Sequence, residues 1–257
     1  MSSIIDFEIK ELKSLKYNPE NIYYKGNLEL LNKPKISIVG TRKPLNYTQL
    51  LTHQLSLRLS QVGNCIVSGG AMGVDAIAHK AAGINNTILV SPCGINYKYP
   101  AINKKLISQI EENGLLLSPF EKDFKATNYS FVQRNEIVVA LGDILIVTQA
   151  DLDSGSLRSV EFALKMEKEI FILPHRINES LGTNKLIKEG KAKIIYDIDE
   201  FVKIYTKISI DKENDDFLEF CKSNPTFDEA LQKYNSIVYE YELNGKIEIK
   251  NGIIKPI

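Results

Sequence analysis

Four short segments of the sequence have residue types suited to binding an anion. In the first, Gly40 and Thr41 precede two cations, Arg42 and Lys43. Glycine at the end of a strand lets backbone amides approach a phosphate closely, and the cations add electrostatic attraction. An ordinary strand-to-helix turn with solvated cations would have the same residues, so both interpretations stay open.

The second segment is a glycine-rich loop that runs from Ser68 through Gly69 and Gly70 to Asp75. Successive N–H groups in such a loop can surround an anion. The loop lacks the Gly-Lys-Ser/Thr ending of a P-loop, and its glycine spacing differs from the GxGxxG dinucleotide motif. Asp75 and His79 fall on one helix face, and we interpret this pair as structural rather than catalytic.

The third segment contains Phe131, Arg134 and Asn135. Proteins that bind single-stranded nucleic acid combine basic groups for the phosphates with aromatic rings for the bases. We expect Arg134 to neutralise a phosphate, whereas Phe131 would either stack on a base or pack beneath the neighbouring loop.

The fourth segment, Ser154, Gly155 and Ser156, precedes a predicted helix. This position suits an anion bound at a helix N-terminus. Ordinary capping of the helix by one of the two serines is the alternative.

The sequence shows no arrangement typical of an enzyme, a metal site or a cofactor site. It has no Gly-x-Ser-x-Gly nucleophile motif, and its histidines and cysteines have neither metal-ligand nor disulfide spacing. These residues are His53, His79, His175, Cys65, Cys93 and Cys221. We therefore expect a non-catalytic protein without metal or cofactor, and the unpaired cysteines favour a reduced, cytoplasmic location.

The overall charge gives no argument for a nucleic-acid partner. The 257-residue chain has a formal net charge of zero, whereas nucleic-acid binders usually show a basic surface. Binding would have to depend on a local cluster of cations. The first 16 residues mix acidic residues with lysines and lack the apolar core of a signal peptide. No segment approaches the roughly 18 apolar residues of a membrane span, so no membrane association is expected.

Six short apolar runs are typical of strands that helices cover on both faces. They are Lys35–Val39 and residues 64–68, 87–90, 114–117, 143–147 and 169–173. Stretches with helical periodicity lie between strands, at residues 50–59, 74–82, 103–112 and 157–168. This alternation predicts an α/β fold with a Rossmann-like parallel sheet flanked by helices. Glycine-rich and hydroxyl-rich segments follow several of the strands, at the carboxyl edge where such sheets bind ligands.

The C-terminal part follows a different pattern. An acidic stretch at residues 211–216 is predicted as a linker. Helices are predicted at residues 217–223, from Thr226 with the capping-box residue Glu229, and at residues 237–243, ended by Asn244-Gly245. A hairpin with an Asn251-Gly252 turn completes a winged-helix-like module. The predicted domains are an N-terminal extension (1–33), the core (34–208) and the module (215–257).

The module is acidic. Residues 211–257 contain ten acidic residues and six lysines, a net charge of −4, and Glu240 and Glu242 fall on its predicted third helix. A winged helix that binds duplex DNA presents cations on that helix. We therefore expect the module to contact protein rather than duplex DNA.

Taken together, these motifs resemble those of the DNA-processing protein A (DprA/Smf) family, in the same order along the chain. The resemblance extends over residues 17–196. The matching stretches are residues 17–27, 39–42, 68–79, 94–103, 131–136, 154–157 and 182–190.

The resemblance implies a homodimer with a Rossmann-like core that binds single-stranded DNA. It also implies protection of incoming DNA and loading of a RecA-type recombinase in natural transformation. The expected DNA contacts are Gly40, Thr41, Arg42, Lys43, Ser68, Gly69, Gly70, Phe131, Arg134, Asn135, Ser154, Gly155 and Ser156.

Two residues depart from the family motifs within this predicted site. Met72 stands where the family has a basic residue, which removes a phosphate contact. Glu136 stands where the family has a second arginine, and its charge would repel phosphate. Lys43, Lys122 and Lys125 are candidates to compensate.

Two other functions are considered. One is a nucleotide-processing enzyme similar to the phosphoribohydrolases, whose Pro-Gly-Gly-x-Gly-Thr-x-x-Glu signature would place its glutamate at Ser159. Serine lacks the required carboxylate, which weighs against this enzyme. The other is an interaction protein with a degenerate DNA site, which the departures at Met72 and Glu136 motivate.

Overall fold

The computed structural model describes residues 3–15, 19–205, 216–234, 237–243, 246–250 and 252–256. The chain divides into two compact units, Met1–Lys207 and Ile208–Ile257. Some sequence-predicted features lie outside the described residues: Tyr17-Asn18 of the first family stretch, residues 211–215 of the linker, Asn244-Gly245 at the helix end and Asn251 of the turn.

The first unit is built on a mixed sheet in which nine described strands pair side by side. The strands are β1 (Ser3–Ile4), β2 (Tyr23–Gly26), β3 (Lys35–Val39), β4 (Cys65–Ser68), β5 (Thr87–Val90), β6 (Leu115–Ser118), β7 (Ile144–Val147), β8 (Ile170–Ile172) and β9 (Lys193–Ile194). Their order is β1-β2-β6-β5-β4-β3-β7-β8-β9.

The strands from β6 to β9 pair in parallel with their neighbours. Every residue of β3 to β8 is buried, which explains why these strands are near-continuously apolar in sequence. The prediction of a mainly parallel, Rossmann-like sheet is confirmed.

The N-terminal residues add two antiparallel strands to one side of this sheet. β2 pairs with β6, with Tyr23 opposite Ser118, and β1 pairs with β2. Leu12 and Leu30, which flank β2 in sequence, are buried in the core. Residues predicted only as an extension therefore share the sheet and the core of the first unit.

Helices cover both faces of the sheet. Those described in the first unit are α1 (Asn46–Gln61), α2 (Val74–Ala82), α3 (Lys104–Asn113), α4 (Asn128–Leu141), α5 (Ser156–Lys165), α6 (Leu181–Lys188) and α7 (Ile198–Ile204). Side chains of α1, α2 and α7 pack in one core cluster, and those of α4, α5 and α6 pack in another. Of the helices that the structure describes, none has the length and apolarity needed to cross a bilayer.

The strand order changes direction between β3 and β7. β3 leads through α1 to β4 on one side, whereas β7 lies on the other side of β3 and leads through α5 to β8. Because α1 and α5 belong to different core clusters, the loops after β3 and β7 diverge at the carboxyl edge of the sheet. Such a switch point leaves a crevice that can bind a ligand.

The second unit contains three described helices followed by a hairpin. They are α8 (Asp216–Cys221), α9 (Phe227–Tyr234), α10 (Ile237–Leu243), β10 (Ile247–Lys250) and β11 (Ile253–Pro256). Thr226 N donates to the Glu229 carboxylate (2.9 Å) and Glu229 N donates to Thr226 Oγ1 (3.3 Å), so the predicted capping box is confirmed. The winged-helix-like identity of this unit stays a prediction.

His79 is a fully buried polar side chain on α2. Its Nδ1 lies 2.6 Å from Thr87 Oγ1. That hydroxyl donates its own hydrogen to Ile66 O (2.8 Å), so it accepts from Nδ1–H. Nε2 has no hydrogen-bond partner among the described residues. Burial, with a smaller contribution from the charge of Arg134, lowers the pKa of His79 to about 3.

We expect the free energy of unfolding to decrease as the pH falls below 6.5. The unfolded chain binds a proton at His79 near pH 6.5, whereas the folded chain binds it only near pH 3. The contribution of His79 is therefore complete above pH 6.5 and is lost progressively toward pH 3. Urea unfolding at pH 7 and pH 5 should show a stability loss about 2 kcal/mol larger for the wild type than for His79→Gln. Equal losses in the two proteins would contradict this expectation.

Candidate functional site

A cleft of about 800 Å³ lies at the carboxyl edge of the sheet, at the switch point between β3 and β7. The loops after β3, β4 and β7 and one face of α4 line it. Of the sequence-predicted residues, it brings together Gly40, Thr41, Arg42, Lys43, Gly69, Phe131, Arg134, Asn135, Ser154, Gly155 and Ser156. Ser68 and Gly70 are not part of its lining.

The loop after β3 holds two exposed cations on a fixed backbone. Thr41 N donates to Gln149 O (2.9 Å), and Lys43 N donates to Thr41 Oγ1 (3.2 Å). Gly40 has no space for a side chain, since a Cβ there would lie 2.6 Å from a valine of α2. Arg42 and Lys43 are exposed, so this loop presents positive charge at the cleft.

The loop after β4 closes around the carboxylate of Asp75. Ala71 N donates to Asp75 Oδ2 (3.2 Å), and the Gly69 backbone also stabilises the ionised carboxylate. Ser68 is fully buried, and its hydroxyl donates to a carbonyl of β3. Gly70, at φ +72°, packs against a leucine of β5. The structure thus corrects the predicted placement of Ser68 and Gly70, because the loop satisfies its donors internally.

Arg134 forms part of the cleft floor beneath Gly69. A Cβ on Gly69 would lie 1.2 Å from Arg134 Nη1. The same nitrogen lies 3.8 Å from Asp75 Oδ2, and Arg134 is only 4% exposed. Burial raises the pKa of Asp75 and lowers the pKa of Arg134, and each partner's charge opposes the other's shift. Arg134 therefore supports the glycine loop from below, and its direct contact with phosphate stays a prediction.

Phe131 is half-buried on α4 and lies between two other side chains. Its ring meets that of Tyr99 edge-on, with centroids 5.5 Å apart and planes at 61°. The Arg42 guanidinium lies 5.8 Å from the Phe131 ring centroid, within cation–π range. These contacts support a packing role, and base stacking by Phe131 stays a prediction.

The N-terminus of α5 forms another wall of the cleft. Ser154 Oγ accepts from Ser156 N (3.2 Å), so a serine satisfies one amide of the first turn. The helix dipole favours an anion at this end. Asp151 and Asp153 line the same wall and oppose an anion. The sequence analysis missed both residues, although they flank the Ser-Gly-Ser motif in the chain.

Glu136 lies outside the cleft, which corrects the expectation that it repels a phosphate bound there. It lines a separate cavity with Glu20, Tyr23 and Glu121. Glu136 is two residues beyond Arg134 on α4, so the two side chains leave the helix in different directions.

The candidate compensating lysines are divided between two places. Lys43 lines the cleft, whereas Lys122 and Lys125 are exposed in the loop between β6 and α4 and are not part of the lining. Met72 is 40% exposed and lies beside the cleft. Within the described part of the chain, no three histidine, cysteine or carboxylate side chains converge as a metal site requires.

Known proteins resemble this chain over most of the first unit. The model of a family described as DNA recombination-mediator protein A matches residues 8–206. The DNA processing protein DprA of Bacillus subtilis (strain 168) is 34% identical over 194 residues, which cover 74% of this chain and 65% of that protein. DprA of Streptococcus pneumoniae is 34% identical over 189 residues, covering 72% and 66%. The chain spans about half to two thirds of the length of the curated relatives it matches.

Two solved structures share the fold. One, from Helicobacter pylori, was described for the single-stranded DNA binding mode of its DNA processing protein A. It aligns with a TM-score of 0.78 and 43% identity, covering 80% of this chain and 96% of that one. The X-ray structure of DprA from Streptococcus pneumoniae aligns with a TM-score of 0.72 and 32% identity, covering 79% and 73%.

Arg134 and Asp75 should show strong coupling in stability. Arg134→Met leaves the Asp75 carboxylate buried without its cation, so we expect a loss of about 3–5 kcal/mol in the free energy of unfolding. Adding Asp75→Asn removes the uncompensated charge, and the double variant should lose less than the sum of the single variants. Urea unfolding of all four proteins measures the coupling, and additive losses would show that the pair does not interact.

Gly69 should tolerate no side chain. Gly69→Ala forces Arg134 away from the loop, and we expect a loss of about 1–3 kcal/mol in the free energy of unfolding. Gly155→Ala is the matched control on another wall of the cleft, since a Cβ there would meet nothing within 4 Å. It should change stability by less than about 0.5 kcal/mol. Similar thermal unfolding curves for the two variants would contradict the close contact.

Proposed function

The chain belongs to the DNA recombination-mediator protein A family, and on this basis we propose that its first unit binds single-stranded DNA in the cleft at the carboxyl edge of the sheet. The observation that carries the proposal is the exposed pair of cations, Arg42 and Lys43, on a fixed loop of that cleft. The relative from Helicobacter pylori, described for its single-stranded DNA binding mode, is 43% identical to this chain.

Phosphates would follow the loop after β3, because the exposed cations of the cleft wall are concentrated there. Asp151 and Asp153 disfavour a phosphate on the neighbouring wall. The dipole of α5 partly offsets this repulsion. The strand should therefore keep its backbone near Arg42 and Lys43.

Arg134 would act mainly through the floor of the cleft. Its guanidinium supports Gly69 and pairs with Asp75. A rigid floor keeps the cleft open before the strand binds, which reduces the ordering cost of association.

We also propose that the protein is a cytoplasmic homodimer without catalytic activity, which protects incoming DNA and loads a RecA-type recombinase in natural transformation. Family membership supports this wider role. Sedimentation of the purified chain tests the dimer, and recombinase filament formation on protein-coated DNA tests the loading. A monomer, or filament formation that the protein does not accelerate, would contradict the respective part.

The phosphoribohydrolase-like alternative receives no support from the cleft. Ser159 lines the cleft and is 1% exposed. A hydroxyl therefore stands where that enzyme class requires a glutamate carboxylate.

Arg42→Ala should weaken binding to a labelled single-stranded oligonucleotide roughly tenfold or more, because a charge-assisted contact to phosphate is lost. The slope of log K against log salt should become shallower by about 0.7, the value for one phosphate contact on a single strand. Fluorescence anisotropy across a salt series measures both quantities.

Arg58→Ala is the matched control, since Arg58 is an exposed cation on α1 that pairs with Asp199 and is not part of the cleft lining. It should bind DNA like the wild type. The proposed function fails if the wild type does not bind at low salt, or if both variants weaken binding equally.

A further inference from the structure

A narrow apolar crevice lies beside the cleft and shares part of its wall. Arg42, Gly69, Ala71, Phe131 and Arg134 line both. The crevice is completed by side chains that are not part of the cleft lining: Met72, Pro92, Tyr99 and Pro100. The crevice is therefore continuous with the surface where we place the phosphates.

Two large side chains of this crevice face solvent. Met72 is 40% exposed and Tyr99 is 42% exposed. Exposed apolar side chains are unremarkable singly, but neighbours beside a functional cleft indicate a contact surface. We call the pair Met72 and Tyr99 the shelf.

The shelf is held in place by contacts between its two loops. Asn103 is buried, and its side-chain amide donates to Gly70 O (3.0 Å) and Ala71 O (3.1 Å). This links the loop that contains Met72 to the chain just beyond Tyr99. The Tyr99 ring is further fixed by its edge-on contact with Phe131. The shelf is thus formed before any ligand arrives.

The chemistry of the shelf suits a nucleobase rather than a phosphate. Met72 and Tyr99 supply no positive charge, whereas a thioether and a phenol ring contact a flat π-system favourably. The Arg42 guanidinium already lies over the Phe131 ring. Of these two aromatic rings, Tyr99 is therefore the more available to a base, beside the cation that would bind the phosphate.

We propose that Met72 and Tyr99 form a nucleobase-binding shelf for the nucleotide whose phosphate pairs with Arg42. This rests on the proposed function of the cleft. Met72 then exchanges a phosphate contact for a base contact. The base contributes affinity that does not depend on salt.

The test compares two labelled oligonucleotides of equal length, one of thymidines and one of abasic sites with the same phosphates. Tyr99→Leu should weaken binding of the thymidine strand on the order of tenfold, the typical effect of losing one base–aromatic stack. It should leave the abasic strand and the salt slope unchanged, because no phosphate contact is lost. Tyr99→Phe is the matched control and should bind both strands like the wild type.

Two further measurements separate stacking from a structural effect of the substitution. A strand with 2-aminopurine should lose fluorescence on binding to the wild type and to Tyr99→Phe, and lose less on binding to Tyr99→Leu. Met72→Lys should steepen the salt slope by about 0.7, as one added phosphate contact does, and reduce the advantage of the thymidine strand over the abasic strand.

The shelf is overturned if the wild type binds with a steep salt slope but Tyr99→Leu weakens both strands equally or neither. That outcome would leave DNA binding by the cleft intact. Failure of the wild type to bind either strand at low salt would overturn the shelf and the proposed function together.

Discussion

The site depends on a carboxylate and a guanidinium that are both buried beneath the glycine loop. Asp75 accepts from the loop backbone and lies 3.8 Å from Arg134, so it takes the place that a bound anion would otherwise occupy. Gly69 is in turn pressed against Arg134 too closely for any side chain. One charge pair thus joins the loop after β4, the start of α2 and the middle of α4. Removing either partner would leave an uncompensated charge in the core.

The central strands were predictable because they are buried on both faces. Their apolar runs locate β3 to β8 to within a residue or two. α4 was missed because apolar residues cover its whole C-terminal half, from Ile137 to Leu141, and leave no helical period to detect. β2 was missed because Tyr23–Gly26 combines two tyrosines with a lysine and a glycine, and only its pairing with β6 makes it a strand.

The composition of the site was more predictable than its depth. Motif order identified most residues of the cleft wall, because loops after parallel strands meet at one edge. Sequence gives the charge of Arg134 but not its burial, and so suggested a surface cation. Net charge was similarly misleading: residues 211–257 carry −4 of a total of zero, so the remainder of the chain carries +4. The neutral average conceals a basic first part and an acidic second part, consistent with different partners for the two.

The ends of the sheet have a consequence for self-association. The strands described at its two edges, β1 and β9, are only two residues long, and β9 includes Lys193. Short, charged edges offer few free backbone groups to a strand from another molecule, which protects a parallel sheet against edge-to-edge growth. Two copies of this chain would therefore not merge their sheets into one. They would have to meet through side chains on the helices and loops, where shape and charge can restrict assembly to a closed pair.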